Sequence, residues 1–220
     1  MRGAAVAGIA ALAVASADAQ VDWAAPAIVT RVCSGCHGID GNAQLPTTPR
    51  LAGQNATYLA QQLAAFQRAP LPDSIEIPAR LVPAAKLPSG ARVGAEARIA
   101  MIGPAHRLQG DEGQEASAWY AKQKPAPGTA ADATLVVKGR DLFEKGVPRA
   151  GVIACMDCHG AGGVGLATFP RLAGQHAGYI ERQLYAFSTG ERPPGGAMHN
   201  EAKGLTAEDA AAVAAYLQSQ

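Results

Sequence analysis

Hydrophobic positions in this chain recur with a helical period, and they do so in two matching sets. Leu59, Leu63 and Phe66 lie at i, i+4 and i+7, one face of a helix, and Ile180, Leu184 and Phe187 repeat that spacing. A second pair of amphipathic segments follows. Ala210, Val213, Ala214 and Leu217 form the apolar stripe of a helix predicted to start at Thr206, with Asp209 as its capping-box partner. Its counterpart is predicted over Asp111 to Lys122, with Trp119 and Tyr120 facing inward. Asp132 is placed to cap another helix, running through Lys145 and carrying Leu135, Leu142 and Phe143. No stretch alternates convincingly with period two, so the pattern predicts an all-α fold without a substantial sheet.

These helices belong to an internal duplication. Pro49-Arg50-Leu51-Ala52-Gly53-Gln54 returns as Pro170-Arg171-Leu172-Ala173-Gly174-Gln175, and Tyr58, Gln62, Leu63 and Phe66 return as Tyr179, Gln183, Leu184 and Phe187. The junction lies at Gln123 to Thr129, where Pro125, Pro127 and Gly128 stop a helix and stiffen the connection. The expected organisation is a first domain over residues 20–124, a linker over 125–131 and a second domain over 132–220.

Each repeat opens on the same chemistry. Cys33-Ser34-Gly35-Cys36-His37 recurs as Cys155-Met156-Asp157-Cys158-His159, and the two motifs use every cysteine in the chain. C-x-x-C-H is the attachment signature of a c-type haem: both thiols add to the porphyrin vinyls, and the histidine ligates the iron. Cys33, Cys36, Cys155 and Cys158 are therefore the expected covalent anchors of two haem c groups, with His37 and His159 as iron ligands. One zinc held by the four thiols, disulfides, or a thioredoxin-like redox pair are the alternatives. More than a hundred residues between the pairs, a histidine after each, and the lack of a βαβ context all favour haem.

The N-terminus agrees with that chemistry. Arg2, the apolar run Ala4 to Ala15 and the Ala17-Asp18-Ala19 cleavage site read as a signal peptide over residues 1–19, and export suits covalent haem attachment. The run is shorter than the roughly 20 residues a spanning helix needs. A mature periplasmic chain without a membrane span, with at most peripheral association, is expected. Loss of Arg2 and Asp18 leaves the net charge of +1 unchanged. Four haem propionates make the loaded protein mildly acidic, which gives no support to nucleic-acid binding. Aromatic residues are only 5% of the chain, so each domain has a thin core that a buried porphyrin would complete.

A haem that only carries electrons needs its second axial site filled, and methionine is the usual partner of histidine. Met1 leaves with the signal, and Met156 lies inside its own cysteine motif. Met101 and Met198 remain and align, since Ala100, Ala105 and Leu108 match Ala197, Ala202 and Leu205 at one offset. Core filling is the ordinary use of methionine, but the count, the register and the haem requirement point to Met101 and Met198 as axial ligands. His106 is the rival in the first half. Pro70, Pro72, Pro78, Pro83 and Pro88 mark an insertion over residues 68–100, expected to be extended and solvated or packed across the surface, as decoration with a partner-docking loop as the alternative. Arg50 and Arg171 are candidates to contact propionates or to donate backbone-fixing hydrogen bonds, with simple turn chemistry as the equal alternative. The proline before each is expected to present its carbonyl to the ligating imidazole.

The combination of Cys33 to Gly38, Pro49 to Gln54, Tyr58, Gln62-Leu63, Cys155 to Gly160, Pro170 to Gln175, Met198 and the Leu205 to Leu217 helix resembles the dihaem cytochrome c4 family. The resemblance covers nearly the whole mature chain. It implies two tandem class I cytochrome c domains in pseudo-twofold arrangement, with haem edges facing across the interface. It also implies periplasmic electron transfer toward a terminal oxidase, with redox proteins as partners, His37 and His159 as proximal ligands, and Met101 and Met198 as distal ones. A dihaem subunit accepting electrons from a periplasmic dehydrogenase is the second reading. Catalysis is disfavoured: peroxide chemistry needs an open iron, and a cysteine-ligated haem needs a fifth cysteine.

Overall fold

The computed structural model describes residues 24–71, 93–192 and 196–220. The expected signal peptide lies outside them, as does most of the Pro-rich insertion. Among the described residues the secondary structure is helical, with strand-like pairing only in the isolated bridges Val147–Val152 and Leu166–Phe169.

Local chemistry sets the helix starts. In the first half, α1 (Ser34–His37) continues a π-helical turn over Val29–Cys33. α2 (Ala56–Arg68) begins where the Asn55 side chain accepts the Tyr58 N–H. α3 (Val93–His106) carries Met101, and α4 (Glu112–Lys122) places Glu112 and Glu115 in its first turn, where the helix dipole favours negative charge. In the second half, α5 (Ala133–Lys145) is capped by Asp132, which accepts from the Thr134 and Leu135 N–H groups. α6 (Met156–His159), α7 (Ala177–Thr189) and α8 (Ala197–Lys203) follow. α9 (Ala207–Gln218) has the full Thr206–Asp209 capping box, and Lys138 reaches Asp209 at 3.0 Å.

One expectation is corrected. α3 starts at Val93, so the last residues of the stretch 68–100 are helix rather than extended decoration. The prolines explain the boundary: after Pro88 none follows until Pro104, so nothing removes helical N–H groups over Val93 to Met101.

Two cores result. Ile28, Val29, Leu59, Ala116 and Tyr120 bury one another in the first half, with Cys33 packed against them. Phe143, Ile180, Val213, Ala214, Tyr216 and Leu217 do so in the second, with Cys155 and Met156 alongside. α5 crosses α9 so closely at Gly139 that a Cβ there would collide with the Ala212 carbonyl. The connection between the halves is bonded down: Ala126 N donates to Asn42 Oδ1 at 2.7 Å, and Thr129 N to the Gln218 carbonyl at 2.9 Å.

Candidate functional site

Each cysteine motif ends in a buried histidine held from behind. His37 and His159 are 6% and 7% exposed. His37 Nδ1 lies 3.0 Å from the Pro49 carbonyl, and His159 Nδ1 lies 3.0 Å from the Pro170 carbonyl. A carbonyl only accepts, so Nδ1 carries the proton and Nε2 keeps its lone pair, the arrangement that orients an imidazole for a metal. Burial lowers both imidazole pKa values, partly offset by the carbonyl bond, so the rings are neutral at ordinary pH. The loops that deliver the prolines close identically. The Gly41 carbonyl accepts from Leu51 and Ala52, and the Gly163 carbonyl from Leu172 and Ala173. φ values of 73° and 75° at Gly41 and Gly163 require glycine at both turns.

The donor set suits a covalently bonded porphyrin better than a thiolate metal. Burial, its main cause, pushes the Cys33 and Cys155 thiols up to about 11, so both remain protonated. Cys33 and Cys155 also pack against different cores, and among the described residues no cluster of three or more His, Cys, Asp or Glu side chains is placed to bind a metal.

Between the two histidine cradles the halves meet through the repeated Pro-Arg-Leu-Ala-Gly-Gln strings. Gln175 accepts the Arg50 N–H at 2.9 Å and donates to the Arg50 carbonyl at 3.0 Å. Gln54 treats Arg171 in the same way, at 2.8 and 2.9 Å. The exchange is reciprocal, as a pseudo-twofold axis demands. Arg50 and Arg171 line a shared cavity of about 10 Å³ beside both glutamines. Arg50 Nη1 donates to the Gly174 carbonyl at 2.7 Å, yet the Nε groups of Arg50 and Arg171 are buried without a partner. Unpaired guanidinium donors beside each cradle fit an anionic group such as a propionate.

Further contacts run mainly from the second half to the first. His176 Nε2 lies 2.8 Å from the Ala43 carbonyl. Arg182 Nη2 donates to the Pro46 and Thr47 carbonyls at 3.3 and 3.1 Å. Arg192 donates to Tyr58 Oη at 2.9 Å, Gln62 Oε1 at 2.7 Å and its own half's Gln183 Oε1 at 2.8 Å, while stacking on Phe187. In return, Asn55 donates to the Ala167 carbonyl. The glutamines were visible in the repeat but carried no signal of a crossing. The arginines align with Gln61 and Leu71 of the first repeat, so a search for symmetry passes over them.

Of the distal candidates, Met101 in α3 and Met198 in α8 are both half-buried, one in each half. Met156 packs into the second core instead. His106 is exposed, and its Nε2 is taken by the Ala69 carbonyl at 2.8 Å.

Comparisons with known proteins place this geometry. The cytochrome c family model matches residues 136–220. Cytochrome c4 of Pseudomonas aeruginosa is 34% identical over 216 residues, covering 96% of this chain and 92% of that protein. A thiosulfate dehydrogenase electron acceptor of Thiomonas intermedia is 34% identical over 208 residues, covering 92% and 84%. The crystal structure of reduced recombinant cytochrome c4 from Pseudomonas stutzeri superposes with a TM-score of 0.72 at 34% identity, covering 89% of this chain and 97% of that one. Two histidine cradles, two class I cytochrome c folds and this similarity along the chain's length converge on one conclusion: the chain belongs to the cytochrome c4 family of dihaem electron-transfer cytochromes.

Proposed function

We propose that Cys33 and Cys36 bond one haem and Cys155 and Cys158 the other, with His37 and Met101 as axial ligands in the first half and His159 and Met198 in the second. The duplicated imidazole-to-carbonyl bond carries this reading: two buried rings hold the same tautomer, each at the end of its own Cys-x-x-Cys-His motif. Each haem, when bound, would supply an iron able to take up and release one electron. The chain's own residues hold the ring plane, keep water away and fix the spacing between the halves. Arg50 and Arg171, whose Nε groups are buried without a partner, would offer donors to propionates. Methionine sulfur favours ferrous iron and keeps both potentials high.

The protein then works as a periplasmic carrier, exported with loss of residues 1–19 and folded as two domains joined at 125–131, passing electrons toward a terminal oxidase. The similarity to a thiosulfate dehydrogenase electron acceptor favours a second reading, in which a periplasmic dehydrogenase is the donor. One spectrum tests the ligand set. The oxidised protein is expected to show a sulfur-to-iron charge-transfer band with the amplitude of two haems, and acid-acetone extraction should leave the colour on the protein. Extractable haem, or a high-spin signal from one site, overturns the assignment. Purification from the native host under mild conditions separates the two roles: a free dihaem protein supports the carrier, and a stoichiometric dehydrogenase complex supports the second.

A further inference from the structure

We propose that His106 and His199 are positioning residues that hold the distal methionines in place, an inference resting on the assignment of Met101 and Met198 as axial ligands. The methionine-bearing helices need outside support. α8 is seven residues long and follows Gly196, which offers no side-chain cap, so it has little stability of its own. α3 is longer but contains Pro104, whose missing N–H leaves the Ala100 carbonyl without its helical partner, one residue before Met101.

Both helices are tied to the end of the preceding helix by a histidine. His199, adjacent to Met198, brings Nδ1 to 2.6 Å from the Phe187 carbonyl in the last turn of α7. His106, five residues beyond Met101, brings Nε2 to 2.8 Å from the carbonyl of Ala69, the residue that ends α2. Gln67 adds a bond to the Ala105 carbonyl at 3.2 Å. Carbonyls at a helix C-terminus have no partner within the helix, so they are natural acceptors for a ring N–H. α7 is anchored through Ile180 in the second core, and α2 through Leu59 in the first. Each ring therefore joins a weakly supported helix to a rigid one.

The two ties are not copies of each other. In the register that matches Met101 with Met198, His106 falls opposite Lys203 and His199 opposite Ile102. Different positions and opposite ring nitrogens reach the same kind of acceptor beside the same kind of residue. Duplication does not account for that, whereas a shared need to fix the methionine does.

The test uses the fully loaded protein. His199→Ala and His106→Ala are each expected to lose part of the charge-transfer band of one haem, and to let imidazole displace that methionine at about tenfold lower concentration, the worth of one hydrogen bond. His199→Asn, with Nδ2 in the place of Nδ1, and His106→Gln, with Nε2 in the place of the ring nitrogen, are expected to restore both readouts. Should an alanine variant fail to fold, His199→Gln or His106→Asn, each of which moves the donor away from its carbonyl, replaces the variant at that position with the same expectation. Alanine variants that keep the full band and the wild-type imidazole affinity, even with a lowered melting temperature, overturn the proposal. So does failure of His199→Asn and His106→Gln to restore them. A wild-type protein without the band overturns the methionine assignment itself, and this inference with it.

Discussion

In the first half His37 donates to the Pro49 carbonyl at 3.0 Å, and in the second His159 donates to Pro170 at the same distance. The glycine turns behind them and the crossed glutamines also coincide. Away from these elements the halves part. In the first, Trp119 and Tyr120 of α4 reach back by hydrogen bonds to the Ile39 and Gly38 carbonyls, holding the chain just after the cysteine motif. In the second, α5 crosses α9 at Gly139, and the Val147–Val152 bridge carries the chain into the motif. The proposed iron ligation and the covalent attachment of the haem allow one geometry, so both copies keep it. A thin core can be closed by any adequate packing, so the copies differ there.

The helix crossing is the place to break that contrast hardest. Gly139→Ala drives a methyl into the Ala212 backbone and is expected to cost about 3 kcal/mol or more. Gly113→Ala in α4 meets only side chains at 3.8 Å and is expected to be neutral or to stabilise by up to about 1 kcal/mol. Denaturant unfolding followed by circular dichroism compares the two. Next come the reciprocal glutamines. Gln54→Ala and Gln175→Ala each strand a backbone N–H and C=O at the interface, at an expected cost of about 2 kcal/mol. Equal losses in the same titration would show that the pseudo-twofold axis holds energetically; a large inequality would show that one crossing dominates.

The one-sided contacts sharpen the picture further. Arg192→Leu installs the residue found at the matching position of the first repeat and removes the bonds to Tyr58 and Gln62. A loss of about 1–2 kcal/mol is expected, with a single melting transition broadening or separating into two in calorimetry. The smallest effect is titration of His176. Burial, first, together with Arg50 and Arg182, depresses its pKa below 6.5, outweighing the Ala43 carbonyl. The unfolded chain then binds the proton more readily. The stabilisation is complete above the unfolded pKa of about 6.5 and declines as pH falls below it. His176→Asn, which copies Asn55 of the first half, is expected to flatten the dependence of stability on pH just below about 6.5.

Much of this molecule is local and was readable one residue at a time. Two C-x-x-C-H motifs, a proline twelve or eleven residues after each histidine, Asp132 as a cap and Thr206 with Asp209 as a capping box all act within a few turns of chain. Local pattern therefore determined α2, α4, α5, α7 and α9, the duplicated cradle and the covalent chemistry it serves, whereas α3, behind the Pro-rich stretch, was not legible in it. Tertiary structure decided what the polar side chains do. Gln54 meets Arg171 and Gln175 meets Arg50 across 117 and 125 residues of sequence, and Arg192 reaches Tyr58 across 134. His106 stood in the sequence as a rival iron ligand, and only the approach of α3 to the end of α2 gives its ring nitrogen a carbonyl instead. A hydrogen-bond donor carries no mark of which distant acceptor it will meet, because that choice is made by how the helices pack.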